Sequence, residues 1–270
     1  QMVWFLQPLV WPFNAFSLPE HLFIVALLAS GLVAAVGGLL VGYPSLRLRG
    51  DYLAIATFGF GEIVFVLANN LIPLTNGSLG IKAIPQYTNL WWSGGAAAAA
   101  VLLVRNLASS SFGRAMRAVR EDEVAAEAMG INVFRTKLLA FTVSAFLGGI
   151  SGALLATLIT TISPTLFTFT MTFNLLIIIV LGGLGSLTGS VVTAVLFAFL
   201  QESLRFLEAP MRIGAWTIPG IPGMRMVVFS LLLVVLMIFY RRGLFGRSEV
   251  SWDLLLRRFP GRRQKYAPDA

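Results

Sequence analysis

The sequence predicts an all-α fold: a polytopic bundle of transmembrane helices interrupted by one polar helical loop. Three observations lead there. Charged residues make up only 12% of the 270 positions and apolar residues 57%, with a mean hydropathy of +0.83, whereas a soluble domain carries about a quarter charged residues. Apolar runs of bilayer-crossing length recur along the chain, and about 20 such residues span the hydrocarbon core as a helix. The Lys and Arg residues fall in short blocks between and after those runs, the distribution of the positive-inside rule, rather than along one amphipathic face. The formal net charge of +8 therefore speaks for membrane orientation and against a nucleic-acid partner.

Taken in order, the candidate spans lie near 20–42, 52–72, 88–104, 138–160, 171–188, 189–207 and 224–240, which predicts seven crossings. The first opens beside Glu20 and His21. As the single His of a chain without Cys, His21 reads as an interfacial residue rather than a base or a metal ligand. Small residues are dense in the first, third and fourth runs: Gly31, Gly37 and Gly38, the Ala run 96–100, and Gly148, Gly149 and Gly152. They predict close helix–helix approach, which drives association where lipid removes the hydrophobic effect. The fifth and sixth runs are divided only by Gly182 to Gly189 (GGLGSLTG). Each is near the short limit for a span, so two short spans and one broken or re-entrant helix are both open readings.

Orientation follows from charge. The segment 105–137 holds Arg105, Arg114, Arg117, Arg120, Arg135 and Lys137, and the tail 241–270 is also basic. Both are expected in the cytoplasm. Four crossings lie between them, so the alternation agrees. Run backwards, it puts Arg47 and Arg49 inside and both 73–87 and 1–19 outside. Residues 1–13 lack the basic n-region of a signal peptide, and the chain opens on Gln1. The expectation is that an odd number of spans precedes Gln1 in the complete protein. In the tail, Trp252, Leu255, Leu256 and Phe259 form an apolar stripe beside Arg257 and Arg258, which predicts a helix lying on the inner leaflet in contact with membrane lipid.

The segment Ser111 to Lys137 is too polar to enter the membrane. Ser110 or Ser111 can cap a helix of about four turns that Gly130 ends. Arg114, Arg117 and Arg120 share one side of it by their spacing, and Glu123 and Glu127 stand four apart. Asn132 can cap a second helix leading through Arg135 and Lys137 into the fourth span. A helical lever attached to a membrane helix results.

Intramembrane ionisable groups are costly and mark function by default. Glu62, about ten residues into the second span with Thr57 one to two turns before it, is the clearest. It either faces a translocation cavity, where it can meet a substrate ammonium group, or is paired inside the bundle. Thr75, Asn76, Gly77 and Gly80 form a turn-rich external segment whose backbone N–H groups can face a polar substrate or a docked receptor. Asn174 is a weaker candidate for the path, and Glu202 and Arg205 are spaced to pair with each other. The chain has no G-x-x-x-x-G-K-[ST] phosphate loop, its lysines being Lys82, Lys137 and Lys265. It is therefore not expected to hydrolyse ATP by that route, to hold a cofactor or metal, or to be an enzyme.

The run Glu123-Val-Ala-Ala-Glu-Ala-Met-Gly130 resembles the EAA-and-glycine loop of ATP-binding-cassette importer permeases. It lies within a longer block, Gly113 to Phe141, and three further blocks fall in order around that: Leu46-Arg-Leu-Arg-Gly-Asp-Tyr-Leu-Ala-Ile-Ala-Thr57, Thr75-Asn-Gly-Ser-Leu-Gly-Ile81 and Val180-Leu-Gly-Gly-Leu-Gly-Ser-Leu-Thr-Gly189. Together they resemble the LivM-type branch of the branched-chain amino acid permease family over most of residues 40–200. The resemblance implies that the loop is a coupling helix entering a cleft on an ATPase, with Arg114, Arg117, Arg120, Glu123, Glu127 and Gly130 at the docking surface. It also implies the assembly: a homologous permease subunit, two cytoplasmic ATPase subunits, an external substrate-binding protein, and a branched-chain or related amino acid carried across a bacterial inner membrane. The alternative is an ion-coupled secondary transporter or channel working without an ATPase, with Glu62 as its cation site.

Overall fold

The computed structural model describes residues 20–183, 185–204, 211–213, 216–218, 228 and 231. Residues 1–19, Arg205, nearly all of the predicted seventh span and the tail with Trp252, Leu255, Leu256 and Phe259 lie outside the described residues. The architecture is all-α. Helices α1 (Glu20–Ser45), α2 (Asp51–Asn70), α3 (Ile72–Thr75), α4 (Leu90–Ser109), α5 (Ser111–Glu121), α6 (Glu123–Ala128), α7 (Val133–Ile159), α8 (Phe169–Gly182) and α9 (Leu187–Ser203) follow in order. A short antiparallel pair, β1 (Met211–Ile213) and β2 (Trp216–Ile218), comes after them.

The apolar runs become helices of membrane-crossing length. Phe23–Ser45, Asp51–Asn70, Val133–Ile159 and Pro164–Gly182 are each long and apolar enough to cross, and α4 joins them only as a pair with α5, from which it is bent by 75°. Large apolar side chains are exposed on these helices, among them Val33, Leu40, Ile55 and Leu176. Such a surface is stable against lipid and not against water. The chain is a multi-pass membrane protein.

The chain divides into two compact units, Gln1–Phe169 and Thr170–Ala270. In the first, α1 and α7 form the most extensive helix pair. They run antiparallel, because a Cβ added at Gly31 would meet Phe146 and Ile150, one at Gly38 would meet Ala145 Cβ at 2.5 Å, and one at Gly42 would meet Phe141. From the other side, a Cβ at Gly149 would lie 2.5 Å from Ala34 Cβ and 2.7 Å from the Ser30 carbonyl oxygen. Gly31, Gly38 and Gly149 thus sit in the seam as expected. Gly37, Gly148 and Gly152 have open space among the described residues instead.

At one end of this pair, Phe23, Leu27 and Leu154 are buried under Tyr87 and Trp92, and the Thr88 and Thr157 hydroxyls share a 2.5 Å hydrogen bond. Segment 76–84 is tied to 160–162 at the same end by Ile81 N–H to Ile162 O (2.8 Å), Ile162 N–H to Ile81 O (2.9 Å) and Ile84 N–H to Thr160 O (3.0 Å). At the opposite end lie the loop with Arg47 and Arg49 and the helices α5 and α6. By contrast α2 and α4 bury no residue.

In the second unit the expected boundary near 188 shifts. Helix α8 stops at Gly182 after 14 residues and α9 restarts at Leu187, lengths of about 21 and 26 Å. Gly183 (φ 107°) and Gly185 (φ 99°) take left-handed conformations in the turn, and the Ser186 hydroxyl caps α9 by accepting from Gly189 N–H at 3.0 Å. Leu181 and Phe197 form the small core of this hairpin.

Candidate functional site

The sequence at the Arg-rich end builds a bent lever. Ser110 is extended and caps α5, its Oγ accepting from Gly113 N–H at 3.3 Å. The 75° bend from α4 brings the backbone so close that a Cβ on Gly113 would lie 2.3 Å from the Ala108 carbonyl oxygen. Only glycine fits there, a requirement the spacing of charges in this segment did not reveal. Along α5, Gly113 and Val119 are buried while Arg114, Arg117 and Arg120 are exposed. Arg120 pairs with the neighbouring Glu121 carboxylate at 2.8 Å, and the Arg114 guanidinium donates to Ser109 O at 3.4 Å.

The single four-turn helix expected from Ser111 to Gly130 is in fact two. Asp122 leaves helical geometry (φ −157°, ψ 119°), and its carboxylate accepts from Val124 N–H at 2.8 Å and Ala125 N–H at 2.9 Å. A strong N-cap side chain has competed with helix continuation and won. The resulting α6 is short and ends as predicted at Gly130 (φ 81°). Gly130 N–H bonds Glu127 O at 2.9 Å and Ile131 N–H bonds Ala126 O at 3.0 Å, the two bonds of a Schellman ending. Ala126 is buried, whereas Val124 is 72% and Met129 82% exposed. Glu127 and Gly130 are exposed with them.

Asn132 then caps α7, accepting from Arg135 N–H at 2.9 Å. One turn further, the Lys137 ammonium group meets the Glu123 carboxylate at 2.5 Å, the two side chains being 20% and 41% exposed. Glu123, one of the residues expected at the docking surface, reaches α7 through this pair while keeping part of its side chain exposed. A second tie lies beside it. The Arg47 guanidinium stands 4.5 Å above the Tyr43 ring and 5.8 Å from that of Phe134, and Tyr43 and Phe134 meet edge-on with centroids 5.6 Å apart. Arg47 thereby links the end of α1 to the start of α7 through cation–π contacts. Arg47, Arg49, Glu123, Glu127, Asn132 and Lys137 line a concave polar cavity of about 550 Å³.

The other predicted site residues fall elsewhere. Glu62 is exposed on α2, on the side that carries the exposed Ile55, Phe58 and Val66, and no hydrogen bond or ion pair is made to it by the described residues. Thr57 turns its hydroxyl back to Leu53 O (2.9 Å) and Ala54 O (3.0 Å). At the opposite end, Thr75 Oγ1 donates to Ala68 O at 2.5 Å and accepts from Gly77 N–H at 3.2 Å. Asn76 (φ 59°) donates from Nδ2 to Gly80 O at 3.0 Å, and Gly80 N–H bonds Gly77 O at 3.2 Å. The N–H groups of Gly77 and Gly80, expected to face a ligand, are instead engaged within the turn, and both glycines are buried. A Cβ on Gly80 would lie 2.2 Å from the Ile162 carbonyl oxygen. The segment is a structural clasp. Asn174 sits half-buried in α8, in the second unit. Glu202 is exposed near the end of α9, and its expected partner Arg205 lies outside the described residues.

The family model for the branched-chain amino acid transport system / permease component matches residues 2–240. The high-affinity branched-chain amino acid transport system permease protein LivM of Salmonella typhimurium is 36% identical over 210 residues, which cover 65% of this chain and 49% of that protein. LivM of Escherichia coli is 35% identical over 210 residues with the same coverage. The permease protein LivH of Escherichia coli is 29% identical over 143 residues, 53% of this chain and 42% of that protein. The chain spans about half the length of these curated relatives. No solved structure matches it significantly.

Proposed function

The chain belongs to the branched-chain amino acid transport system permease family, and from that premise we propose that it serves as a membrane subunit of an ATP-binding-cassette importer. Its cargo is a branched-chain or related amino acid, and its membrane is the bacterial inner membrane. It works beside a homologous permease subunit, two cytoplasmic ATPase subunits and an external substrate-binding protein. In this reading the Arg-rich end is cytoplasmic. Arg47, Arg49, Arg114, Arg117, Arg120, Arg135 and Lys137 gather there, whereas the segments 71–89 and 160–168 at the other end contain Lys82 alone, the asymmetry of the positive-inside rule.

The observation that carries the proposal is the lever of α5 and α6. Two capped helices hold a compact surface of Arg114, Arg117, Arg120, Glu127 and Gly130, with Val124 and Met129 as its exposed apolar anchors. Exposed apolar side chains on the same short helical segment as exposed arginines are what a protein docking site offers. A carrier that drew on an ion gradient has no use for such a lever. In Glu62 the same assembly has a carboxylate for the substrate path, on a helix that buries nothing within its own chain.

The test is co-purification and uptake. With the full-length chain, its partner permease, the ATPases and the receptor reconstituted together, Val124→Asp combined with Met129→Asp should release the ATPase and lower ATP-driven leucine uptake more than about tenfold. Both side chains are exposed, so the permease itself should elute and melt as wild type. Undiminished uptake by this variant would overturn the docking assignment.

A further inference from the structure

We propose that Glu123 is a positioning residue inside the chain, one end of a strut whose other end is Lys137, and that it is not itself a contact to the ATPase. This inference rests on the importer reading above. It departs from the docking role expected of Glu123, because the carboxylate of that residue faces α7.

The strut bridges the place where the lever joins α7. Between α6 and α7 the chain is a tight turn, Gly130 to Asn132, with Gly130 left-handed and Asn132 occupied as a cap. A turn of this kind transmits little torque on its own, because rotation about a few backbone bonds absorbs it. The Glu123 carboxylate, at the first position of α6, closes the turn by holding the Lys137 ammonium group at 2.5 Å across 14 residues. An exposed ion pair is worth little, but Lys137 is largely withdrawn from solvent and lies against a cavity wall shared with Phe134 and Ile131.

Beyond Lys137 the path is stiff. α7 is clamped to α1 through Gly38 and Gly149 along the seam and, at its end, through the edge-on contact of Tyr43 with Phe134 and the Arg47 guanidinium set against both rings. Displacement of α6 is therefore passed by the strut to α7 and by the seam to α1, and the two helices move as one body. Without the strut, α6 follows the ATPase while α7 lags. ATP is then hydrolysed with less transport.

The readout is leucine transported per ATP hydrolysed by the complete reconstituted complex, with ATPase co-purification measured alongside. Glu123→Gln and Lys137→Met should each lower this ratio about tenfold while leaving the ATPase bound. In the Lys137→Met background, Glu123→Gln should add less than about a twofold further loss. Lys137→Arg, which keeps charge and reach, should retain at least about half of the wild-type ratio. If Glu123→Gln costs the same in both backgrounds, or releases the ATPase, Glu123 meets the ATPase and the strut is wrong. Unchanged ratios in both single variants overturn it as well. Should a variant weaken assembly, the chain's freedom from Cys allows Glu123→Cys with Lys137→Cys to be bridged by a short bifunctional maleimide. Bridging should restore the ratio, and failure to do so counts against the strut. If the wild-type complex shows no ATP-driven uptake, the importer reading itself fails and takes the strut with it.

Discussion

One methyl group decides how closely α1 and α7 can approach. At Gly149 the space a side chain needs is already taken by Ala34 and the Ser30 backbone, whereas one residue away, at Gly148, there is room. Overpacking a close contact costs about 1–3 kcal/mol. Gly149→Leu should therefore lower the melting temperature of the detergent-solubilised chain clearly, and Gly148→Leu should leave it near wild type. Equal shifts would show that the seam is placed on the wrong face. The sequence marks both glycines as small but does not separate them, because these helices are apolar on every side and the 3.6-residue period that identifies a buried face in a soluble helix carries no contrast here. Glu62 has the same difficulty. Its cost in lipid is visible from its position, but spacing along one helix names no partner for it.

At the scale of elements, the break at Asp122 turns a continuous helix into a hinge-like pair. The residues around it, Arg-Glu-Asp-Glu-Val-Ala-Ala-Glu-Ala-Met, are nearly all acceptable helix formers, so propensity argues for one helix. The Asp wins locally because its carboxylate satisfies two N–H groups that an interior position would leave to the backbone ladder. Asp122→Ala removes that cap, worth about 1 kcal/mol, and should straighten α5 into α6. ATP-driven uptake should fall severalfold, and Asp122→Asn, which can cap as well, should recover most of it. The cap at Asn132 and the stop at Gly130 were legible from residue type alone, since each acts within a few residues. The Glu123 to Lys137 tie and the Arg47 contacts with Tyr43 and Phe134 were not. Each joins residues brought together by a turn or by helix packing, and no spacing rule reaches across those. In the second unit, the glycines of GGLGSLTG announced a break. Its position, with α8 ending at Gly182, depends on the close passage of Gly189 against the Gly182 carbonyl.

For the molecule as a whole, the two basic loops of the first unit share one end, and the clasp of Gly77 to Gly80 shares the other with 160–163. The proposed orientation can be checked with single cysteines in this Cys-free chain. Ser78→Cys should react with a membrane-impermeant maleimide in intact spheroplasts, and Ser111→Cys only after permeabilisation. The opposite pattern would invert the orientation. Among the described residues, the four apolar helices of crossing length and the charge asymmetry were readable because bilayer thickness and surface charge act on composition, whatever the helices pack against; the expected seventh crossing falls outside those residues. The pairing of α1 with α7 was less so, because small residues advertise contact without naming the partner. That pairing also bears on synthesis. Ser30 and Gly149, which share a hydrogen bond across the seam, are 119 positions apart, and a ribosome adding about 5–20 residues per second needs on the order of ten seconds to cover that interval. Through it, the notched face of α1 waits in the translocon or the bilayer without its mate, open to any insertase or neighbouring helix that can shield it until α7 arrives.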